Sequence, residues 1–162
     1  MNVEQIMTRN PATCGPEDPC DAAARIMWEQ DVGCVPVVDS SNRVVGMITD
    51  RDICMAAYTQ GRCLRELCVS EAMAKRVLCA SPKDSLAKAE ETMRDGQIRR
   101  MPVTDGGGRL LGILSLNDLA REAIRERGTR RRELGGEEVM TTLAAICEPR
   151  ASQAMVQAAD AE

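Results

Sequence analysis

The chain has 162 residues, of which 44% are apolar and 28% are charged, and its formal net charge is −4. That length suits one compact domain or two small units that share a core. The acidic balance gives no general attraction to nucleic acid or to an acidic membrane surface. No apolar run reaches the length of a membrane span, and residues 1–5 lack the pattern of a signal peptide. These features predict a cytoplasmic protein with no nucleic-acid and no membrane partner.

The cysteine and histidine content restricts the chemistry further. The chain has eight cysteines and no histidine, and no two cysteines have the Cys-x-x-Cys spacing of a zinc site. Cys34 and Cys54 lie among apolar neighbours in the sequence, where a reduced cysteine behaves as a small hydrophobic residue. Without histidine the usual general base is missing, so we predict no enzyme, no catalytic residue and no metal. A redox switch through the cysteines is an alternative that thiol titration would test.

The first half of the chain alternates strand and helix patterns. Asp18, followed by Pro19, is predicted as the cap of a helix with proline at its first position. That helix presents Ala22, Ala23, Ile26 and Met27 on one face. The predicted elements of this half are a helical turn at 3–7, a strand at 12–14, the helix to about 31–33, strands at 34–39 and 43–48, and a helix over 49–58.

The second half repeats this order after a connector in which one helical turn is predicted at 64–67. Its predicted elements are a strand at 78–80, a helix over 84–94, strands at 100–104 and 109–114 around a glycine turn, and a helix over 115–126. A short helix is also predicted at 137–147. Each half therefore has the order β-α-β-β-α.

The composition suggests five segments. They are a first unit at 1–60, a connector at 61–72, a second unit at 73–127, a basic linker with a short C-terminal helix at 128–148, and a tail at 149–162. The tail is rich in Ala, Gln and Ser, and we expect it to be disordered. The basic cluster at 130–132 is flanked by glutamates and has no aromatic neighbours to stack on bases, so a solvated linker is favoured over a nucleic-acid contact.

A seven-residue motif occurs twice. Residues 46–52 (the first motif) and 112–118 (the second motif) share a glycine, two apolar residues, a hydroxyl, two variable residues and an aspartate. The copies are 66 positions apart (118 − 52), and the same offset aligns 7–52 with 73–118 without a gap. A match of this length indicates the internal duplication of one folded unit.

The motif residues suit a phosphate and a ribose. The hydroxyl of Thr49 or Ser115 stands where a strand becomes a helix, beside unpaired N–H groups that attract an anion. One turn later, Asp52 or Asp118 can accept hydrogen bonds from ribose hydroxyls, and the motif glycine keeps backbone bulk low at the strand edge. The same spacing is typical of a capping box, which satisfies the helix end without any ligand. Capping and binding are compatible with each other.

The two halves resemble the cystathionine-β-synthase (CBS) domain. In the first half the resemblance rests on Val35-Pro36-Val37-Val38-Asp39 and the first motif. In the second half it rests on Met101-Pro102-Val103-Thr104-Asp105 and the second motif. It covers roughly residues 3–126 and implies an α/β (α+β-like) fold of two units packed sheet to sheet about a pseudo-twofold axis, with two clefts. It also implies a small stand-alone bacterial type that dimerises.

The resemblance assigns further binding residues. Arg99 and Arg100 are phosphate candidates, with an exposed strand end as the alternative, whereas the first copy has Gly33 and Cys34 there. Unequal sites are therefore expected. Val35 and Met101, which precede the two repeated prolines, would form a wall beside an adenine base. The alternative is that both side chains pack in the core. The predicted nucleotide-binding residues are Thr49, Asp52, Ser115, Asp118, Arg99, Arg100, Val35, Pro36, Met101 and Pro102.

These expectations define one leading function and one alternative. The leading hypothesis is a regulatory module that binds AMP, ADP or ATP in the clefts between the units and signals by conformational change. It requires no cofactor, and it is expected to form a homodimer and to act on an unidentified effector protein. The alternative is a dimeric scaffold or interaction protein that binds no ligand.

Overall fold

The computed structural model describes residues 1–126 and 134–149 of the chain. The basic cluster at 130–132 and residues 150–162 of the predicted tail lie outside this part of the chain.

The strands and helices follow the predicted order in both halves. After a 3₁₀ turn at Val3–Gln5, the elements of the first half are β1 (Thr8–Arg9), α1 (Cys20–Glu29), β2 (Cys34–Val38), β3 (Val44–Thr49) and α2 (Asp50–Gln60). Those that follow are α3 (Val69–Ala72), α4 (Leu86–Gly96), β4 (Arg100–Thr104), β5 (Leu110–Ser115), α5 (Leu116–Arg125) and α6 (Gly136–Cys147). This mixed order confirms the predicted fold class.

Each half builds a hydrophobic core of its own, but each core borrows residues from outside its half. The second core contains Val3 and Met7 from the start of the chain, together with Leu134 and Val139 from the C-terminal part. The first core contains Val69 from the connector. The two units are therefore joined by segments that pack in a core outside their own half. We propose that each of these segments belongs to the domain whose core it completes.

Backbone pairing shows the same exchange of segments. Strand β1 pairs antiparallel with β5 of the second unit, matching Thr8 with Ile113. At the equivalent place in the first unit, Ala74 bridges Met47 of β3. Each pair is related to the other by the 66-residue offset, so the segment that precedes one unit completes the sheet of the other. This exchange brings residues 8–12 to the boundary between the units.

The two units also meet on a pseudo-twofold axis. Arg43 and Arg109, which are equivalent in the two copies, form a β-bridge with each other. On either side of this bridge, the amide of Val44 donates to the carbonyl of Gly108 at 3.1 Å, and the amide of Leu110 donates to the carbonyl of Asn42 at 2.9 Å. The predicted pseudo-twofold arrangement is confirmed.

Three local predictions were wrong in detail. Asp18 does not cap α1: its carboxylate accepts from the amide of Gly15 at 2.7 Å and closes the preceding turn, and Pro19 takes the cap position. The strands predicted at 12–14 and 78–80 are reduced to single bridges at Cys14 and Ala80. The helical turn predicted at 64–67 is a single hydrogen-bonded turn, in which the amide of Glu66 donates to the carbonyl of Cys63 at 3.0 Å, and the helix of the connector, α3, follows it at Val69–Ala72.

Candidate functional site

Each motif forms a capping box at the junction of a strand and a helix. The carboxylate of Asp52 accepts from the amide of Thr49 at 2.9 Å and from its hydroxyl at 2.7 Å, while the Thr49 oxygen accepts from the amide of Asp52 at 3.2 Å. Ser115 and Asp118 repeat these contacts at 2.8, 2.6 and 3.2 Å. The capping alternative is confirmed, and in both motifs it occupies one oxygen, Oδ2, of the carboxylate.

The second carboxylate oxygen distinguishes the two motifs. Oδ1 of Asp118 accepts from the guanidinium of Arg121 at 2.6 Å, one helical turn further on. The residue equivalent to Arg121 in the first copy is Met55, which cannot donate. Within the described part of the chain, Oδ1 of Asp52 receives no hydrogen bond. Asp118 is only 8% exposed, so its ion pair with Arg121 is desolvated on one side.

A cleft of about 330 Å³ opens between the units at the second motif, and we call it the interunit cleft. Both units line it: Ser115, Asp118, Arg121 and Arg100 from the second, and Gly33, Cys34 and Pro36 from the first, with Thr8, Pro11 and Ala12 along one edge. Its volume lies at the lower end of the range of about 300–1,000 Å³ found for ligand pockets. The cleft combines hydroxyl, carboxylate and guanidinium groups with an apolar wall.

Arg100 spans the boundary between the units. A Cβ built on Gly33 would lie 3.5 Å from Nη2 of Arg100 and 3.3 Å from Oδ2 of Asp50, so the glycine leaves room for this guanidinium. Burial raises the pKa of the Cys34 thiol, and the charge and hydrogen bond of Arg100 oppose that rise. The thiol therefore stays protonated, and Arg100 supplies a fixed positive charge at the cleft wall.

Four of the ten predicted binding residues line the interunit cleft: Ser115, Asp118, Arg100 and Pro36. Thr49 and Asp52 belong to the other motif. Arg99 is exposed and does not line this cleft; its carbonyl accepts from the amide of Leu116 at 2.9 Å.

Val35 and Met101, the residues predicted to contact an adenine base, do not line the interunit cleft. Val35 is 1% exposed and Met101 is 0% exposed, because these side chains point from their strands into the two cores. Pro102 is also buried and does not line the interunit cleft. Core packing, the alternative for Val35 and Met101, describes their position, and neither side chain is available to a ligand in this cleft.

Sequence reasoning missed Arg121 and the first strand. Arg121 was detectable, because it follows Asp118 by three positions on one helix, where side chains are neighbours. The contribution of Thr8 had no local signal, because it depends on the exchange of segments between the units.

The cysteines divide by burial. Cys14, Cys20 and Cys34 are buried, whereas Cys54, Cys63, Cys79 and Cys147 are exposed. The expectation of an apolar environment therefore holds for the buried Cys34, whereas Cys54 is exposed but lines a groove beside the apolar side chains of Met27 and Ile53. All of the cysteines are free thiols.

Two further observations concern the described residues alone. They contain no group of three or more His, Cys, Asp or Glu side chains placed to hold a metal ion. None of their helices combines the length and the apolar character needed to cross a membrane.

The comparisons with known proteins agree with this architecture. The CBS domain model matches residues 3–58 and 69–125. The chain therefore belongs to the CBS domain family, as a tandem pair. It is 39% identical over 119 residues to the CBS domain-containing protein YhcV of Bacillus subtilis, an alignment that covers 74% of this chain and 83% of that protein.

Two solved structures of similar proteins contain adenosine compounds. The CBS domain pair of protein MJ0100, in complex with 5′-methylthioadenosine and S-adenosyl-L-methionine, has a TM-score of 0.68 and 26% identity, covering 75% of this chain and 94% of that one. CBSX2 in complex with AMP has a TM-score of 0.68 and 26% identity, covering 78% of this chain and 98% of that one.

Proposed function

We propose that this chain is a regulatory module that binds an adenosine nucleotide in the interunit cleft and signals by a change in the arrangement of its two units. The observation that carries the proposal is the position of Ser115 and Asp118, at a helix N-terminus that opens onto a cleft lined by both units. AMP, ADP and ATP are the nucleotides proposed. The module acts by binding, not by catalysis, and requires no cofactor.

The polar groups of the cleft divide into a phosphate end and a ribose end. The N-terminus of α5 offers a partial positive charge, and the Ser115 hydroxyl lies beside it. Arg100 and Arg121 add guanidinium groups, whose planar donors match phosphate oxygens. Asp118 keeps a second lone pair on Oδ1, which can accept from a ribose hydroxyl while the cap stays intact. Pro36 supplies apolar surface for the base.

The two motifs support unequal sites. The first motif has Met55 where the second has Arg121, so it lacks the cation next to its carboxylate. Leu78 is equivalent to Ala12 of the interunit cleft, and its Cδ1 would lie 2.5 Å from a Cβ on Gly96. The first motif therefore has a bulkier residue at the position equivalent to Ala12. We propose one tight site, at Ser115 and Asp118, and a weaker or empty one at Thr49 and Asp52.

A ligand in the interunit cleft is suited to signalling because it contacts both units at once. A ligand shifts a conformational equilibrium only by the difference in its affinity for the two states. Pro36 and Arg100 belong to different units, so a change in the angle between the units changes the distance between these two contacts. The response would pass to a partner chain in a homodimer and to an effector protein.

The capping boxes favour a second candidate function. Asp52 and Asp118 both stabilise helix ends without any ligand, as they would in a dimeric scaffold or interaction protein with empty clefts. Removal of the carboxylate charge would leave the function of such a scaffold intact.

A thermal-shift titration of the purified protein separates the two candidates. AMP, ADP, ATP, NAD and S-adenosylmethionine are added separately up to millimolar concentration, with inorganic phosphate as the control for a simple anion effect. A ligand that binds only the folded state raises the melting temperature by mass action. A rise with one nucleotide and none with phosphate supports the sensor. No rise with any of these compounds favours the scaffold.

A further inference from the structure

Two free thiols of the first unit, Cys20 and Cys68, meet where the connector passes the start of α1. Pro19 and Cys68 face each other across an antiparallel β-bridge. Beside this bridge, the amide of Cys20 donates to the carbonyl of Leu67 at 2.8 Å. Cys20 therefore comes directly after the residue that faces Cys68, although the two cysteines lie far apart in the sequence.

The backbone at this bridge suits a disulfide. The amide of Val69 donates to the carbonyl of Asp18 at 2.8 Å. Pro19 and Cys68 are therefore a facing pair without hydrogen bonds of its own, in which Cα atoms lie about 4.5 Å apart. Cys20 is one residue further on, which brings its Cα close to the range of about 4.4–6.8 Å found for disulfides. Helices begin at Cys20 and at Val69, so the alternation of side chains along a strand does not force the two thiols onto opposite faces.

The electrostatics of Cys20 agree with this proximity. Burial raises the pKa of the Cys20 thiol, and the charge of Cys68 is the next largest cause, ahead of the charges of Glu71 and Asp21. Asp21 is the neighbour of Cys20 in the chain, and the effect of a charge falls with distance. The thiols of Cys20 and Cys68 are therefore close neighbours.

The two thiols differ in their exposure to solvent. Cys20 is 0% exposed and packs in the first core, whereas Cys68 is half-buried. A small oxidant can reach a partly exposed thiol, and a second thiol beside it can then complete a disulfide. Cys68 is therefore the thiol that an oxidant meets first, and Cys20 is the thiol placed to resolve the product.

The second unit has the same backbone at the equivalent place and no thiol there. Its bridge joins Asn2 to Ser85, and the 66-residue offset maps Cys68 to Asn2 and Cys20 to Leu86. The fold therefore forms this junction without a cysteine at either position. The thiol pair is a feature of the first unit alone, and packing does not require it.

We propose that Cys20 and Cys68 form a disulfide when the protein reacts with a peroxide. The Cys68 sulfur attacks one oxygen of hydrogen peroxide and the O–O bond breaks, which leaves a sulfenic acid on Cys68 and releases water that carries the thiol proton. The Cys20 sulfur then attacks the sulfur of Cys68. The S–O bond breaks, and the hydroxyl group leaves with the Cys20 proton as a second water. The two thiols thus lose two electrons, which reduce one peroxide to two waters.

The bond fastens the connector to the first unit. Beyond Cys68, the amide of Ser70 donates to the carbonyl of Pro16 at 2.9 Å, and Ala74 bridges Met47 of β3. A disulfide at Cys68 fixes this segment before the chain enters the second unit, so oxidation restricts the movement of the connector. Disulfides in a reducing compartment are mostly transient and redox-sensing. This inference rests on the thiol pair and not on nucleotide binding, so either proposal can fail without the other.

The test oxidises the folded full-length chain after Ser has replaced the four exposed cysteines, which are Cys54, Cys63, Cys79 and Cys147. Hydrogen peroxide is added, catalase stops the reaction, and N-ethylmaleimide blocks the remaining thiols. Peptide mass spectrometry without reductant should identify a peptide pair that joins Cys20 to Cys68. Thiol titration in urea should fall from the four remaining thiols per chain to about half that number.

Two variants in this background separate the pair from the other buried thiols. Cys68→Ser should form no disulfide. Cys14→Ala is the matched control, because the charge of Cys20 also acts on Cys14, and it should still form the bond. The disulfide restricts the unfolded chain, so oxidation should raise the melting temperature by about 5–10 °C in the control and not in Cys68→Ser, and dithiothreitol should reverse the rise.

Three results would overturn the proposal. One is a disulfide between Cys14 and Cys20 in place of the proposed pair. Another is oxidation of Cys68 to a sulfinic acid with no disulfide, which would show that Cys20 cannot reach it. The last is a linked pair that forms in urea and not in the folded protein.

Discussion

Gly112 and Thr8 touch through their backbones. A Cβ built on Gly112 would lie 2.7 Å from the carbonyl oxygen of Thr8 and 2.9 Å from the sulfur of Met7. The two residues belong to paired strands, β5 of the second unit and β1 from the start of the chain. The glycine of the second motif is therefore required by the exchanged segment that packs over it. Its effect on the interunit cleft is indirect, because it lets Thr8, Pro11 and Ala12 line that cleft.

This contact predicts a hierarchy among glycine variants. Gly112→Ala should lower the free energy of unfolding by about 1–3 kcal/mol, because backbone must move to make room. Gly46→Ala should cost less, since its Cβ first meets the flexible side chain of Met73. Gly106→Ala is the control, with nothing within 4 Å of its Cβ, and it should be nearly neutral. Urea unfolding measures all three, and equal costs at Gly106 and Gly112 would contradict the close packing.

The capping boxes predict separate stability effects. Ser115→Ala and Thr49→Ala should each cost about 1 kcal/mol, because each removes the side-chain acceptor for an amide of the first helical turn. Ser115→Thr and Thr49→Ser keep the hydroxyl and should stay within a few tenths of a kcal/mol. Thermal unfolding without ligand gives the comparison. Alanine variants as stable as the hydroxyl variants would show that these boxes do not stabilise the helices.

Glu90 predicts a pH effect opposite to that of most carboxylates. Glu90 is 3% exposed, and burial is the main cause that raises its pKa. The hydrogen bond from Thr142 and the positive charge of Arg94 lower this pKa, whereas the negative charge of Glu138 raises it further. Over the pH window just above the ordinary pKa of a glutamate, Glu90 keeps its proton in the folded state and has lost it in the unfolded chain. Stability therefore falls as pH rises through this window.

Glu90→Gln removes the cost of burying a charged carboxylate and keeps an oxygen that accepts from the Thr142 hydroxyl. The variant should melt at a higher temperature than the natural protein at pH 7, and the gain should shrink towards pH 4. The measurement is the difference between the melting temperatures of the two proteins at each pH. The difference is needed because the lowered pKa of Asp84 makes both proteins less stable as the pH falls. A gain that is the same at pH 4 and pH 7 would contradict the assignment.

Thiol reactivity should follow burial. Cys14, whose pKa burial raises to about 11, should react slowly with iodoacetamide at pH 8, as should the buried Cys34. Cys54, Cys63 and Cys147 are exposed and should react quickly. Peptide mass spectrometry after timed quenching gives the rates, with the protein in urea as the control in which all thiols react. A fast reaction at Cys14 in the folded protein would show that this core is open.

Local periodicity predicted the longer helices and strands because each of them has enough residues to show it. The duplicated motif added the pseudo-twofold arrangement, since two copies at one offset imply two similar units. The exchange of segments was not predictable in this way, because β1 is a strand of two residues. A strand of two residues is too short to show an alternation of apolar and polar side chains. Its pairing depends on a partner strand more than 100 positions away in the sequence.

The candidate site was predictable where one motif contains both groups and not where the fold joins distant segments. Ser115 and Asp118 were predicted as candidates because a hydroxyl and a carboxylate three positions apart meet at a helix start. Val35 was misplaced because a single strand does not show which of its faces is buried. Pro36 and Arg100 meet in the interunit cleft only through the packing of the two units.

The most direct test of the proposed site is calorimetric titration of AMP, ADP and ATP into the natural protein, Asp118→Asn and Asp52→Asn. Asparagine keeps an oxygen that can accept from the amide and hydroxyl of Ser115 or Thr49, so both helix caps survive. It replaces the other carboxylate oxygen, which would accept from ribose. A hydrogen bond to a charged group contributes about 1.5–3 kcal/mol, so its loss should weaken binding roughly ten- to a hundredfold.

The predicted result is one tight site per chain for at least one nucleotide, weakened at least about tenfold in Asp118→Asn and unchanged in Asp52→Asn. Two results would contradict the account. One is the absence of binding by any of these nucleotides at millimolar concentration. The other is binding that Asp52→Asn removes and Asp118→Asn leaves intact, which would place the working site at the first motif.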